Sequence, residues 1–117
     1  PGWLRETGSG KAVSWEGSPP GLSSESGLRL RLVSAVTGRW IPVSGWLLES
    51  GKRPGPKPLR RMVPAGSVYF FEVTQGDPLE LEKLWLQPVC DDRQDRLDGF
   101  GLSLWGSWTW NNDFSTR

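Results

Sequence analysis

A chain of 117 residues that is 36% hydrophobic and 23% charged, with 15 glycines and 10 prolines, is sized for one domain and excludes both a disordered polyelectrolyte and a long helical bundle. It contains no histidine, which excludes Cys/His and Ser/His mechanisms within the chain and removes the usual zinc ligand, while Cys90, the lone cysteine, allows no internal disulfide and fits a reducing cytoplasm. The formal net charge of +1 hides a division: Arg29, Arg31, Arg39, Lys52, Arg53, Lys57, Arg60 and Arg61 stand against Glu49 between Leu28 and Arg61, whereas eight acids stand against Lys83, Arg93 and Arg96 between Glu72 and Asp98.

The chain opens on Pro1 without an initiator methionine, so it is expected to be part of a longer polypeptide. Lys11–Trp15 reads as a short strand, followed by a loop through Pro19, Pro20 and the serines beyond them. From Leu28 to Thr37 the alternation of Leu28, Leu30 and Leu32 with Arg29 and Arg31 predicts a strand with leucines in the core and both arginines on the open face, where they could meet phosphate. Trp40–Val43 reads as extended, with Pro42 marking an edge. Gly51–Pro58 holds three prolines and two glycines, which predicts a stiff basic loop without regular structure. Ser67–Thr74, rich in β-branched and aromatic residues, is the strongest predicted strand.

After that strand the period changes. Asp77 can cap a helix of about ten residues that begins at Pro78, with Glu80 placed to close a capping box and Leu81, Leu84 and Trp85 on one face. Gln87–Leu97 reads as an acidic loop, Leu102–Trp105 as a last apolar strand, and the polar tail from Asn111 is expected to fray. No apolar run approaches the ~20 residues of a membrane span, and no membrane association is expected.

Three constellations could carry function. Lys52, Arg53, Lys57, Arg60 and Arg61 form a dense basic segment suited to a polyanion, since each single-stranded phosphate neutralised changes the salt slope of binding by about 0.7. Gly99, Gly101 and Gly106 flank the last predicted strand, and bare backbone there could admit a ribose-phosphate chain, although neither a dinucleotide fingerprint nor a P-loop is present. The tryptophans at 3, 15, 40, 46, 85, 105, 108 and 110 are expected to be core or subunit interface, with stacking on bases or sugars as the alternative. Asp91, Asp92, Asp95 and Asp98 match no cation-binding loop, and no metal or cofactor is expected; Cys90 is expected to be a small buried apolar residue.

Lys57–Glu72, which includes Arg60, Arg61 and the run Ser67–Phe71, resembles a segment of the third subunit of Cmr-type (type III-B) CRISPR RNA-guided effector complexes, in the RAMP superfamily. Asp98–Trp108 resembles the glycine-rich loop near the C-terminus of that subunit, and Ser44–Gly45–Trp46 is similar to another of its short motifs. The resemblance implies an α+β, ferredoxin-like (RRM-related) RAMP domain, incomplete, with antiparallel sheet and long loops, spanning residues 1–117 as the C-terminal part of a longer cytoplasmic subunit. It further implies a non-catalytic role in antiviral defence: helping to bind the 5′ handle of the guide RNA and docking onto the large polymerase-like subunit and the first backbone subunit.

The residues expected at the RNA are Lys52, Arg53, Lys57, Arg60, Arg61, Gly99, Phe100, Gly101 and Gly106. Because Leu102–Trp105 carries no cation, the glycine segment is expected to shape the fold or admit a backbone rather than to grip phosphate with side chains. Two other classes compete with this reading: a RAMP-type endoribonuclease using carboxylates and a metal, and a tryptophan-rich carbohydrate-binding module.

Overall fold

The structure, a computed structural model, describes residues 2–109; Trp110 and the tail from Asn111 lie outside them. It is α+β, with antiparallel sheets and short helices. The described residues form two compact units, one of the residues up to 33 and from 70 onwards and one of residues 34–69, which lies between those segments in sequence.

The first unit is built on a sheet ordered β1 (Arg5–Thr7), β2 (Ser14–Gly17), β3 (Arg29–Val36) and β8 (Val68–Gln75), the last two running across the boundaries between the units. The period-2 leucines behave as expected: Leu28 and Leu30 are 1% exposed and cluster with Trp3 and Leu4, and Leu22, Leu32, Phe71, Leu81 and Trp105 pack around them. Burying two leucines this fully contributes about 1.5–3 kcal/mol each. The Phe71 ring lies between Trp3, at 5.5 Å between centroids, and Trp105, at 6.2 Å, so the strongest predicted strand delivers an aromatic centre to the core.

The opposite face of the sheet is a row of alternating charge. Arg5 pairs across strands with Glu16, Glu16 with Arg31, and the Arg31 guanidinium forms an ion pair with Glu72 on β8. Opposite charges placed directly across strands are mildly stabilising. The hydrogen bond and charge of Glu72 also raise the pKa of Arg31, with Glu16 adding to the effect. The expectation that Arg31 stands open to phosphate is therefore corrected: β3 places it between two carboxylates.

Several further expectations need correction. The segment from Pro78 to Leu84 is a 3-10 rather than an α-helix. Asp77 caps it, accepting from the Leu79 amide at 2.9 Å, but Glu80 bonds Lys83 instead of closing a box, and the run ends at once where Leu86 takes a φ of +55°. Its ends are closed by i→i+3 bonds, Glu80 N–H to Asp77 O at 3.1 Å and Trp85 N–H to Glu82 O at 3.2 Å. Leu84 is buried on the expected face, whereas Trp85 is exposed.

The α-helix lies instead in the supposed acidic loop, α1 (Arg93–Leu97), capped by the Asp92 carboxylate, which accepts from the amides of Gln94 at 2.7 Å and Asp95 at 3.1 Å. Leu102–Trp105 is no strand. The backbone there pairs with residues 86–89 through a single antiparallel bridge, Pro88 to Leu102, and bonds such as Val89 N–H to Gly101 O at 2.9 Å. The strand predicted at Lys11–Trp15 is shifted to Ser14–Gly17.

Candidate nucleic-acid interface

The second unit, residues 34–69, collects the basic half of the sequence: Arg39, Lys52, Arg53, Lys57, Arg60 and Arg61 against Glu49 alone. It contains a long irregular hairpin. β4 (Ile41–Val43) pairs antiparallel with β7 (Arg60–Met62), and β5 (Trp46–Leu47) with β6 (Gly55–Pro56). The supposed irregular loop Gly51–Pro58 thus contributes a ladder of its own at Gly55–Pro56. Proline is tolerated there because β5 and β6 form a ribbon of two strands, each with a free edge.

The two ladders are out of register by one residue. Ser44 and Gly45 separate the pairs Val43–Arg60 and Trp46–Pro56 on one side, whereas Lys57, Pro58 and Leu59 separate them on the other. The extra residue is a β-bulge, which sharpens the local twist and re-aims side chains. One backbone and one side-chain bond fix it: the Lys57 amide donates to Gly45 O at 2.7 Å, and the Ser44 hydroxyl donates to Lys57 O at 3.1 Å. The similarity noted at Ser44–Gly45–Trp46 therefore marks one side of this bulge; Pro58 and Leu59 face Ser44 on the other, with Lys57 beside them opposite Gly45.

Strand alternation separates the two adjacent arginines. Arg60 is paired with Val43 and shares its face with Ile41 and Met62, and it is half-buried; Arg61 is paired with Pro42 on the other face and is exposed. The Arg61 guanidinium lies over the Trp40 ring, 4.8 Å from its centroid. Beyond the second ladder, the hairpin tip turns through Glu49–Lys52, with the Lys52 amide donating to Glu49 O at 3.2 Å and the Lys52 ammonium 2.5 Å from the Glu49 carboxylate. Hydrogen bonding and charge from Lys52, with a further contribution from Lys57, hold the Glu49 carboxyl below its ordinary pKa. Lys52, Arg53 and Lys57 complete the cationic set, and Trp46, 60% exposed, stands across from Pro56.

The glycine segment belongs to the first unit. Gly99 has a φ of +87° and follows α1 as its C-terminal cap: its amide donates to Arg96 O at 3.2 Å and that of Phe100 donates to Asp95 O at 2.9 Å, the bond pair of a Schellman motif. Gly101 has a φ of +77°, and a Cβ there would lie 3.0 Å from the Cβ and backbone nitrogen of Cys90. These amides and contacts are committed to the fold. Cys90 is half-buried rather than buried; its thiol faces Phe100 O at 3.4 Å, and burial, reinforced by Asp95, raises its pKa. Gly106 has open space beside it.

Of the tryptophans, Trp3 is buried and Trp105 packs on the core, but Trp15, Trp40, Trp46, Trp85 and Trp108 are exposed. Trp108 is nonetheless held, its ring edge-on to Phe70 at 5.3 Å and its indole N–H donating to Phe71 O at 2.9 Å. The four aspartates at 91, 92, 95 and 98 do not converge, and among the described residues no group of three acidic, cysteine or histidine side chains is placed to hold a metal ion. None of the described helices is long and apolar enough to cross a membrane.

The family model described as CRISPR-associated protein (Cas_Cmr3) matches residues 1–108 of the chain. No curated protein and no solved structure matches it.

Proposed function

The chain belongs to the Cas_Cmr3 family of CRISPR-associated proteins, and from that premise we propose that it helps hold the 5′ handle of a guide RNA through the basic hairpin of residues 34–69. One observation carries the reading: Lys52, Arg53, Lys57, Arg60 and Arg61 lie in one inserted unit in which Glu49 is the only acid. Such an excess of cations on an exposed ribbon is the electrostatic footprint of a polyanion site. The role is non-catalytic. Gly99, Phe100, Gly101 and Gly106 serve it indirectly, by shaping the segment that follows α1 and leaving room for a neighbouring backbone.

Docking to the large polymerase-like subunit and the first backbone subunit completes the proposal. Its support is the exposure of Trp15, Trp46 and Trp85, since large exposed apolar side chains mark surfaces that partners cover. In the same reading the chain is the C-terminal part of a RAMP-type ferredoxin-like domain, 1–117, of a cytoplasmic subunit. Nuclease protection of a handle-containing RNA tests the central statement. Protection is expected with the unaltered chain and not after charge reversal at Lys52, Arg53, Lys57, Arg60 and Arg61 together; protection that survives the reversal removes the hairpin from the account.

A further inference from the structure

Within that RNA-binding reading, on which this inference rests, the neighbouring arginines are not equivalent. We propose that Arg61, and not Arg60, is the phosphate-gripping fork of the hairpin, and that Trp40 is the residue that positions it.

Arg60 and Arg61 point to opposite faces of the β4–β7 ribbon, so one phosphate chain lying along one face meets only one of them. Arg60 shares its face with Ile41, Val43 and Met62 and is half-buried, which leaves its stem covering apolar surface. Arg61 is exposed, and its guanidinium carbon lies over the Trp40 ring, 4.8 Å from the centroid, where the negative face of the ring attracts the charge. A guanidinium stacked in this way keeps its N–H donors free at the rim of the plane, where they match two phosphate oxygens at once. Across the ribbon Pro42 stands opposite Arg61 and carries no backbone amide to compete for the ligand. The contact with Trp40 reduces in advance the loss of rotamer freedom on binding.

The test is a titration of the chain with a fluorescently labelled single-stranded RNA carrying the repeat-derived 5′ handle, repeated over a salt series. Arg61→Ala is expected to weaken binding about tenfold and to reduce the magnitude of the salt slope by about 0.7, the signature of one lost phosphate contact. Trp40→Leu is expected to weaken it about two- to fivefold with the slope unchanged, because the charge stays and only its orientation is lost. Trp40→Phe, which keeps a ring, is expected to restore most of the affinity, and the double variant Trp40→Leu/Arg61→Ala to bind no worse than Arg61→Ala. Arg60→Ala is expected to weaken binding less than Arg61→Ala does, by about two- to fivefold, because a nearby charge is lost but not the two-pronged grip on a phosphate.

Trp40→Leu binding as tightly as the unaltered chain, or additive losses in the double variant, would overturn the positioning role. An Arg60→Ala loss equal to that of Arg61→Ala would overturn the distinction between the two arginines. Thermal melts of each variant identify a folding defect, and Trp40→Phe then decides the matter, since failure of a folded Trp40→Phe to bind also overturns the proposal. If the unaltered chain does not bind the RNA at all, the underlying reading fails and this inference with it.

Discussion

Replacing Gly99 with alanine separates helix capping from RNA contact. Gly99 sits at a φ of +87°, and an added Cβ meets no atom within 4 Å, so the cost is that of holding an L-residue in left-handed backbone, about 1–2 kcal/mol. Gly101→Ala carries the same backbone cost at a φ of +77° and places its Cβ 3.0 Å from Cys90, where the neighbours must shift, which adds about 1–3 kcal/mol. Urea denaturation followed by tryptophan emission reads both, with an unchanged m-value as the sign that stability alone has moved. The expected order of midpoints is unaltered chain, Gly99→Ala, then Gly101→Ala, with handle-RNA affinity of Gly99→Ala unchanged well below its transition. A Gly99→Ala chain that keeps its midpoint but loses RNA affinity would refute the argument, because the glycine would then be contacting the ligand rather than ending α1.

The small core gives a second prediction: Leu30→Ala, at a fully buried position beside Trp3 and Leu4, lowers stability by about 2–5 kcal/mol, whereas Leu104→Ala, at a position 67% exposed, changes it by less than about 0.5 kcal/mol in thermal or chemical denaturation. Glu49→Gln releases Lys52 from its ion pair at the hairpin tip, and titration of handle RNA is expected to show affinity about two- to fivefold higher and a salt slope steeper by about 0.7. The raised pKa of Cys90 leaves less thiolate at any given pH than a free cysteine has, so alkylation by iodoacetamide at pH 8 is expected to lag that of free cysteine and to reach its rate on unfolding. Equal rates in the folded chain would contradict the placement of the thiol against Phe100.

The sequence was legible where one pattern controlled one element. Leu28, Leu30 and Leu32 read as β3 because alternation alone decides which face is buried, and Ser67–Thr74 read as β8 because β-branched and aromatic residues leave little alternative. The hairpin of residues 41–62 was hidden by its prolines, which deny a central ladder but not a ribbon of two strands each with a free edge, and by a bulge that no local pattern announces.

α1 was masked by the acidic run around it. Asp92 as cap and Gly99 seven residues on are the local signals for it, but in sequence each also fits a charge cluster or a glycine loop. At the candidate site, the grouping of Lys52, Arg53, Lys57, Arg60 and Arg61 could be seen from charge counts alone. The stacking of Arg61 on Trp40 could not, because it depends on register between segments some twenty residues apart, which only the folded hairpin sets.

The most direct test of the central claim is the salt dependence of handle-RNA binding by the chain, measured with and without neutralisation of Lys52, Arg53, Lys57, Arg60 and Arg61. Four or five phosphate contacts predict a slope of log affinity against log salt of about −3 for the unaltered chain, falling towards zero in the neutralised one. A slope near zero at the outset, or one that the five substitutions leave unchanged, would contradict the assignment of RNA binding to this hairpin.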